Sequence, residues 1–316
     1  MKLFISRPLP TAVIARAERS FDVDVREQTT PMTHDEMVNS LRDYDLVLPT
    51  LGDLYSAEVF NQARNIRAKM LANFGVGYNH IDVDAAKAQG IAVSNTPGAV
   101  TDATADTAMT LILMTARRAG EGERLVRVGK WEGWHPTQLL GQHVTGKTLG
   151  IIGMGRIGEA IAHRCHYGFG MDVVFFNRSP KETSIPARQL SSIEDVASSC
   201  DILVIALPGG ASTHHLINAE VFAAMPSHAI FVNIARGEIV DEAALIRALD
   251  NGQIAGAGLD VYEFEPKVPD ALVARENVTL LPHLGTATLE VRTAMGMLAV
   301  ENLEAFAAGE TLVSPV

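Results

Sequence analysis

Thr148-Leu149-Gly150-Ile151-Ile152-Gly153-Met154-Gly155-Arg156-Ile157-Gly158 joins a short apolar run to a glycine-rich turn and then to an amphipathic stretch over 156–167. Three glycines alone would mark only a tight turn. Set between a strand pattern and a helix pattern, they form a dinucleotide-binding fingerprint. Gly153 permits the turn, Gly155 lets backbone approach a pyrophosphate, and Gly158 lets helix and strand pack closely. The helix start at Arg156 and Ile157 offers a partial positive charge to phosphate.

The same alternation runs outward in both directions. Downstream, apolar runs at 171–177, 201–207, 228–234, 254–262 and 277–282 alternate with helical patterns such as 192–199 and 241–250, the last opened by Asp241. Upstream, runs at 2–6, 21–25, 45–49 and 69–73 alternate with helical patterns at 11–19, 33–42, 56–63 and 82–88. Repeated strand, helix, strand means parallel sheets with crossover helices. A long helix is expected over 101–128, N-capped by Thr101 or Asp102, and an amphipathic helix from Leu289 to Ala308 closes the chain. Two α/β units follow, one comprising 1–98 and 287–316 and the other 99–286. Two chain crossings join them, and the cleft between is the expected ligand site.

Composition bounds the function. The chain has 316 residues, 47% of them hydrophobic, and a formal net charge of −11. So acidic a chain is a poor binder of nucleic acid or of an anionic membrane. Two cysteines, Cys165 and Cys200, in no CxxC pattern favour a reducing, cytoplasmic setting. The N-terminus lacks a secretory pattern, and no apolar run reaches transmembrane length.

Cofactor choice is read at the end of the second strand of the nucleotide unit. An NAD site usually places Asp or Glu there for the ribose hydroxyls. This chain has Asn177-Arg178-Ser179. Asn177 does not repel a 2′-phosphate, Arg178 offers a planar cation, and Ser179 adds a hydroxyl, so NADPH is expected.

Three further groups lie beyond strand ends: Arg236 in NIARGEIVDE, Glu265 in GLDVYEFEP and His283 in LLPHLGTAT. Hydride transfer to a ketone needs a proton donor for the forming alkoxide and a cation for the substrate carboxylate. His283 can donate, Arg236 can bind and polarise, and Glu265 can hold His283 in its protonated form. His163 and His166 flank Cys165 but read as helix-surface residues. His214 and His215 form a loop pair for which the sequence shows no acidic partner nearby, so no metal is expected.

These motifs resemble those of the D-2-hydroxyacid dehydrogenase family over essentially the whole chain, with Arg, Glu and His in the family's order. Through FFNRSP and GKWEGWHPTQLLG the chain looks closest to the family's NADPH-dependent glyoxylate/hydroxypyruvate reductases. The resemblance implies two Rossmann-like α/β domains, a flavodoxin-like substrate domain and a dinucleotide-binding domain. It puts catalysis on Arg236, Glu265 and His283, and the substrate carboxylate on the amides of Val76 and Gly77. It places NADP against Thr104, Gly153, Gly155, Arg156, Ile157, Gly158, Asn177, Arg178, Ser179, Leu207, Pro208, Thr213, Ile234, Ala235, Asp260, His283 and Gly285, with Asp260 near the nicotinamide carboxamide. A homodimer through the cofactor domains is implied, with 101–145 as the embracing arm and Trp134 either reaching the neighbour's substrate pocket or packing at the interface.

Two features depart from the family or leave it open. Asn79 in GYNHID stands where Asp is common, and the loop Thr50-Leu51-Gly52-Asp53, which would face the substrate side chain, offers only Leu51 as an apolar wall. Larger keto acids such as phenylpyruvate therefore stay open. Remaining alternatives are an NAD-linked enzyme such as a 3-phosphoglycerate oxidiser, a phosphonate or formate oxidiser, and a nucleotide-sensing corepressor on the same fold. For formate, Gln would be needed in place of Glu265.

Overall fold

The computed structural model describes residues 1–316. In chain order the first unit holds β1 (Lys2–Ile5), α1 (Thr11–Ser20), β2 (Asp22–Val25), α2 (His34–Asp43), β3 (Leu46–Leu48), α3 (Ala57–Gln62), β4 (Met70–Ala72), α4 (Val83–Ala88) and β5 (Ala92–Ser94). The second opens with α5 (Thr101–Ala116) and α6 (Ala119–Arg127). It continues through β6 (Thr148–Ile152), α7 (Arg156–Phe169), β7 (Asp172–Phe176), β8 (Arg188–Gln189), α8 (Ile193–Ser199) and β9 (Ile202–Ile205). Then come α9 (Ala219–Ala224), β10 (Ile230–Asn233), α10 (Glu242–Asp250), β11 (Gly256–Leu259), α11 (Asp270–Val273) and β12 (Val278–Leu280). The closing helix, α12 (Leu289–Ala308), returns to the first unit. The two compact units are Met1–Val100 with Thr286–Val316, and Thr101–Gly285.

Each unit is built on a wholly parallel sheet. The first has strand order β2-β1-β3-β4-β5, the flavodoxin-like order. The second runs β12-β11-β10-β9-β6-β7-β8, a doubly wound sheet whose order reverses between β6 and β9. Alternation builds its two cores. In β9, Ile202 and Val204 pack on one face with Leu149, Ile151 and Val232, while Leu203 and Ile205 pack on the other with Phe222 and Phe231. No helix is long and apolar enough to cross a membrane.

The helix expected over 101–128 is two helices. The backbone N–H of Gln142 donates to the Ala116 carbonyl (2.7 Å), and Gly141 lies so close that a Cβ there would sit 2.3 Å from that same oxygen. The returning chain takes the acceptor that a continuing helix would need. Arg118 then turns in the left-handed region at φ 52°, and α6 starts on a new axis. Thr101 is the first residue of α5 rather than its cap. The strand β5 and the elements β8, α9 and α11 lie outside the segments expected from the sequence. Asp241 does cap α10, accepting from the Ala244 N–H.

Candidate active site

A parallel sheet places all of its strand carboxyl ends on one edge, so residues distant in sequence converge there. Gly153 follows β6, Asn177 follows β7, Leu207 and Pro208 follow β9, Arg236 follows β10, Glu265 follows β11, and His283 follows β12.

The glycine loop divides into two kinds of position. At Gly153, with φ +99°, a Cβ would lie 2.7 Å from the Ala206 carbonyl oxygen, and at Gly158 one would lie 2.3 Å from the Gly153 carbonyl oxygen. Those glycines are required by protein contacts. Gly155 is different: a Cβ there would meet no protein atom, and its φ is −79°. The space it leaves is available to a ligand. Gly155 is also the N-cap of α7 and supplies no side-chain cap, so the Arg156 and Ile157 end of this 14-residue helix keeps its amides for an anion. The Asn177 Oδ1 accepts from the Met154 N–H (2.7 Å), which leaves its NH₂ group as a neutral donor. These features fit a dinucleotide. Thr213 donates to the Pro208 carbonyl (3.0 Å) and closes the loop after β9. Ile234 and Ala235 are buried at the end of β10.

Arg236 is held by residues around it. Asn233, buried at the end of β10, donates to the Arg236 carbonyl (2.9 Å) and accepts from the Ala235 N–H (3.0 Å). Gly237 allows the next step, because a Cβ there would lie 1.8 Å from the Tyr262 carbonyl carbon. The Arg236 loop can therefore press against the backbone that leads to Glu265. Desolvation pulls the Arg236 guanidinium below its ordinary pKa, while the carboxylates of Glu265 and Glu238 favour its charge. It stays cationic in either case.

Glu265 and His283 meet directly. The His283 Nδ1–H donates to Glu265 Oε2 (2.9 Å), and Glu265 Oε1 accepts from the Tyr262 N–H (3.1 Å). Burial pushes the Glu265 carboxyl up, but the His283 hydrogen bond and charge, the Tyr262 amide and Arg236 together hold it below its usual value. Glu265 is thus anionic at neutral pH. With Nδ1 engaged, Nε2 is the imidazole's outward edge. The Tyr262 hydroxyl donates to the Leu281 carbonyl (2.9 Å) and ties the loop of Glu265 to that of His283.

Asp260 is buried beneath this pair. It accepts from the backbone N–H groups of Leu284 (2.6 Å) and Gly285 (2.8 Å), while the His283 N–H donates to the Asp260 carbonyl (2.9 Å). These bonds hold His283 in the left-handed region at φ 56°. Desolvation raises the Asp260 carboxyl above its ordinary value despite those donors. Thr104 donates to the Gly285 carbonyl from the other side (3.3 Å).

The His214–His215 pair does have an acidic partner. Glu263, brought in by the turn after β11, places Oε1 2.7 Å from His215 Nε2. The donor atoms of His214, His215 and Glu263 lie within 4.8 Å of one another. The hydrogen bond spends His215 Nε2 on closing the loop after β9 onto the Glu263 turn. His163 is exposed on α7 against Tyr167, and the His166 Nδ1–H donates to the Met171 carbonyl (2.9 Å).

In the first unit, the loop after β4 is shaped from inside. The Asn73 amide donates to the carbonyls of Gly75 and Gly77 (both 3.0 Å), and the Asn95 amide donates to the Val76 carbonyl (2.8 Å). With its carbonyls drawn inward, this loop can offer amides to an anion. In the loop 50–53, Leu51 is partly exposed, but Asp53 is fully buried and does not face outward. It accepts from Ser6 Oγ (2.6 Å), from the N–H groups of Thr50 and Met32, and from Arg7 (3.2 Å). A short polar loop reads as surface, yet only burial could gather these donors around one carboxylate.

A hollow of about 570 Å³ opens at the amino-terminal edge of β10–β12, lined by Thr115, Arg118, Arg124, Leu140 and Thr279 among others. No member of the Arg–Glu–His set lines it, so this hollow and the chemistry lie apart. Of the positioning residues, Asn233 and Gly237 lie in NIARGEIVDE and Tyr262 in GLDVYEFEP, but those motifs do not mark them out from their neighbours. The only sequence signal is the placing of Asn233 and Asn73 at strand ends, where side-chain amides commonly organise turns.

Comparison with known proteins gives the family. Residues 109–285 match the family model described as D-isomer specific 2-hydroxyacid dehydrogenase, NAD binding domain. The chain is 42% identical over 315 residues to a glyoxylate reductase of Thermococcus kodakarensis, covering 98% of this chain and 94% of that protein. It is 38% identical to a glycerate dehydrogenase of Hyphomicrobium methylovorum, covering 98% and 96%. Among solved structures, an NADPH-dependent glyoxylate/hydroxypyruvate reductase from Sinorhizobium meliloti, in complex with NADP and malonate, superposes with a TM-score of 0.87 at 36% identity, covering 100% and 96%. With its two parallel sheets, its glycine loop and its paired Glu265 and His283, the chain belongs to the D-isomer specific 2-hydroxyacid dehydrogenase family.

Proposed function

We propose that the protein reduces glyoxylate and hydroxypyruvate to 2-hydroxy acids with NADPH. The observation that carries the reading is the Glu265–His283 hydrogen bond at the carboxyl edge of the sheet, in a loop cluster that also holds Arg236. The reduced nicotinamide supplies hydride to the keto carbon. His283 donates the proton from Nε2 to the forming alkoxide, and Glu265 stabilises the imidazolium and fixes its orientation. Arg236 pairs with the substrate carboxylate and polarises the ketone, and the Val76 and Gly77 amides of the first unit are donors suited to a carboxylate. The relatives named for glyoxylate reduction support the substrate class.

The NADPH preference is supported by Asn177, Arg178 and Ser179. Arg178 is exposed and has no carboxylate partner, so its guanidinium is available to a 2′-phosphate. The test follows nicotinamide absorbance with NADPH or NADH and each of glyoxylate, hydroxypyruvate, pyruvate and phenylpyruvate. Turnover is expected to be fastest with NADPH and the two small acids. Arg178→Ala should lower kcat/KM for NADPH about tenfold, the value of one charged hydrogen bond, and leave NADH nearly unchanged. Preference for NADH in the unaltered protein would overturn the assignment of 177–179. Tight NADPH binding with no turnover would point to a sensor.

The arm from α6 onward supports a homodimer through the cofactor domains. Helix α6 buries no residue, and Val126, Val128, Trp131, Trp134 and Leu140 are exposed, Trp134 at 80%. Apolar groups gathered on one segment call for a covering surface. Sedimentation equilibrium at micromolar concentration should give twice the chain mass, and a single-chain mass there would remove the proposal.

A further inference from the structure

Asn177, Arg178 and Ser179 sit on a loop whose outer part is exposed. An exposed loop recognises a phosphate well only if its backbone is held in advance, since ordering it on binding would cost affinity. One side chain does the holding. Gln189, in the two-residue strand β8 paired beside β7, donates from Nε2 to the carbonyls of Asn177 (3.1 Å) and Ser179 (3.0 Å). Its Oε1 accepts from the Lys181 N–H (2.9 Å). Three bonds from one amide thus fix the first, third and fifth residues of the loop.

The two accepted carbonyls matter most. Left unbonded beside a phosphate, their negative ends would oppose it, and the Gln189 amide draws both of them onto itself. The Asn177 carbonyl belongs to the peptide that enters Arg178 and the Ser179 carbonyl to the peptide one residue beyond it, so the chain is held before and after the proposed phosphate ligand. A second anchor lies further along and meets the loop only at Lys181 and beyond. Glu159 on α7 accepts from the Ser184 N–H (2.8 Å), and its other oxygen lies 4.0 Å from Lys181 Nζ. Lys181 is therefore already engaged, which leaves Arg178 as the cation that Gln189 positions.

We infer that Gln189 is a positioning residue that sets the preference for a 2′-phosphorylated dinucleotide, acting through the backbone of 177–181. The inference rests on the NADPH reading above. Its test is calorimetric titration of the whole protein with adenosine 2′,5′-bisphosphate and with ADP, for the wild type, Gln189→Ala and Gln189→Glu. The wild type should bind the 2′,5′-bisphosphate more tightly. Gln189→Ala should weaken that ligand about tenfold and ADP less than about twofold, the scale expected when a supporting shell is lost. Gln189→Glu keeps the Lys181 contact, loses both donors and adds a negative charge, so it should weaken the bisphosphate further. Equal losses for the two ligands, or no loss, would overturn the inference while leaving the cofactor reading intact. A wild type that binds both ligands equally would overturn both. Should Gln189→Ala fail to fold, Gln189→Met, which keeps the side-chain length, carries the same comparison.

Discussion

Replacement of His283 by alanine is expected to lower kcat for glyoxylate reduction by about a thousandfold, within the range for loss of a positioned general acid. The imidazole Nδ1 is committed to Glu265, so in the proposed reaction the proton for the alkoxide leaves from Nε2, and no other imidazole shares that carboxylate. Binding of adenosine 2′,5′-bisphosphate, which lacks the nicotinamide end of the cofactor, should change little, which separates loss of chemistry from loss of fold. Glu265→Gln gives the companion result. The Glu265 carboxylate accepts from His283 Nδ1 and fixes the ring, and an amide can take that bond in only one of its two orientations, so kcat should fall about tenfold with KM little changed. A His283→Ala protein within tenfold of wild-type kcat, or a Glu265→Gln protein with unaltered kcat, would remove this pair from proton donation.

Arg236→Gln should cost about a thousandfold in kcat/KM, roughly 4 kcal/mol, as expected when one partner of a desolvated charge pair is cut away. In the proposed reaction this cation meets both the carboxylate and the polarised carbonyl, so KM should rise and kcat should fall together. Arg236→Lys restores the charge without the planar fork and should recover only part of the loss. A subtler variant moves the guanidinium without removing it. A Cβ at Gly209 would lie 2.9 Å from the Arg236 Cγ and 2.5 Å from a Glu238 oxygen, so Gly209→Ala should displace the side chain. Its expected cost is about tenfold in kcat/KM. If Arg236→Gln stays within threefold of wild type, substrate binding belongs to other groups.

The local order of residues was enough to place the glycine loop, the alternation of strands and helices, and the Arg236, Glu265, His283 series. Periodicity and turn chemistry act over a few neighbours, and a parallel sheet then brings strand ends to one edge by topology alone. Backbone approach and burial act between segments far apart in sequence, so they appear only once the chain is folded. The split of the helix at 116–119 depends on the Gln142 amide arriving at the Ala116 carbonyl. The partner of His215 depends on Glu263 being turned toward it by the loop after β11. Gly237 reads as an ordinary loop glycine until Tyr262 lies against it, and Asp53 reads as a surface acid until Ser6, Arg7, Met32 and Thr50 enclose it. The chemistry-bearing side chains were legible because their identity is the signal. The residues that aim them were not, because an Asn, Gln or Tyr becomes a positioning group only through the distant backbone atoms it meets.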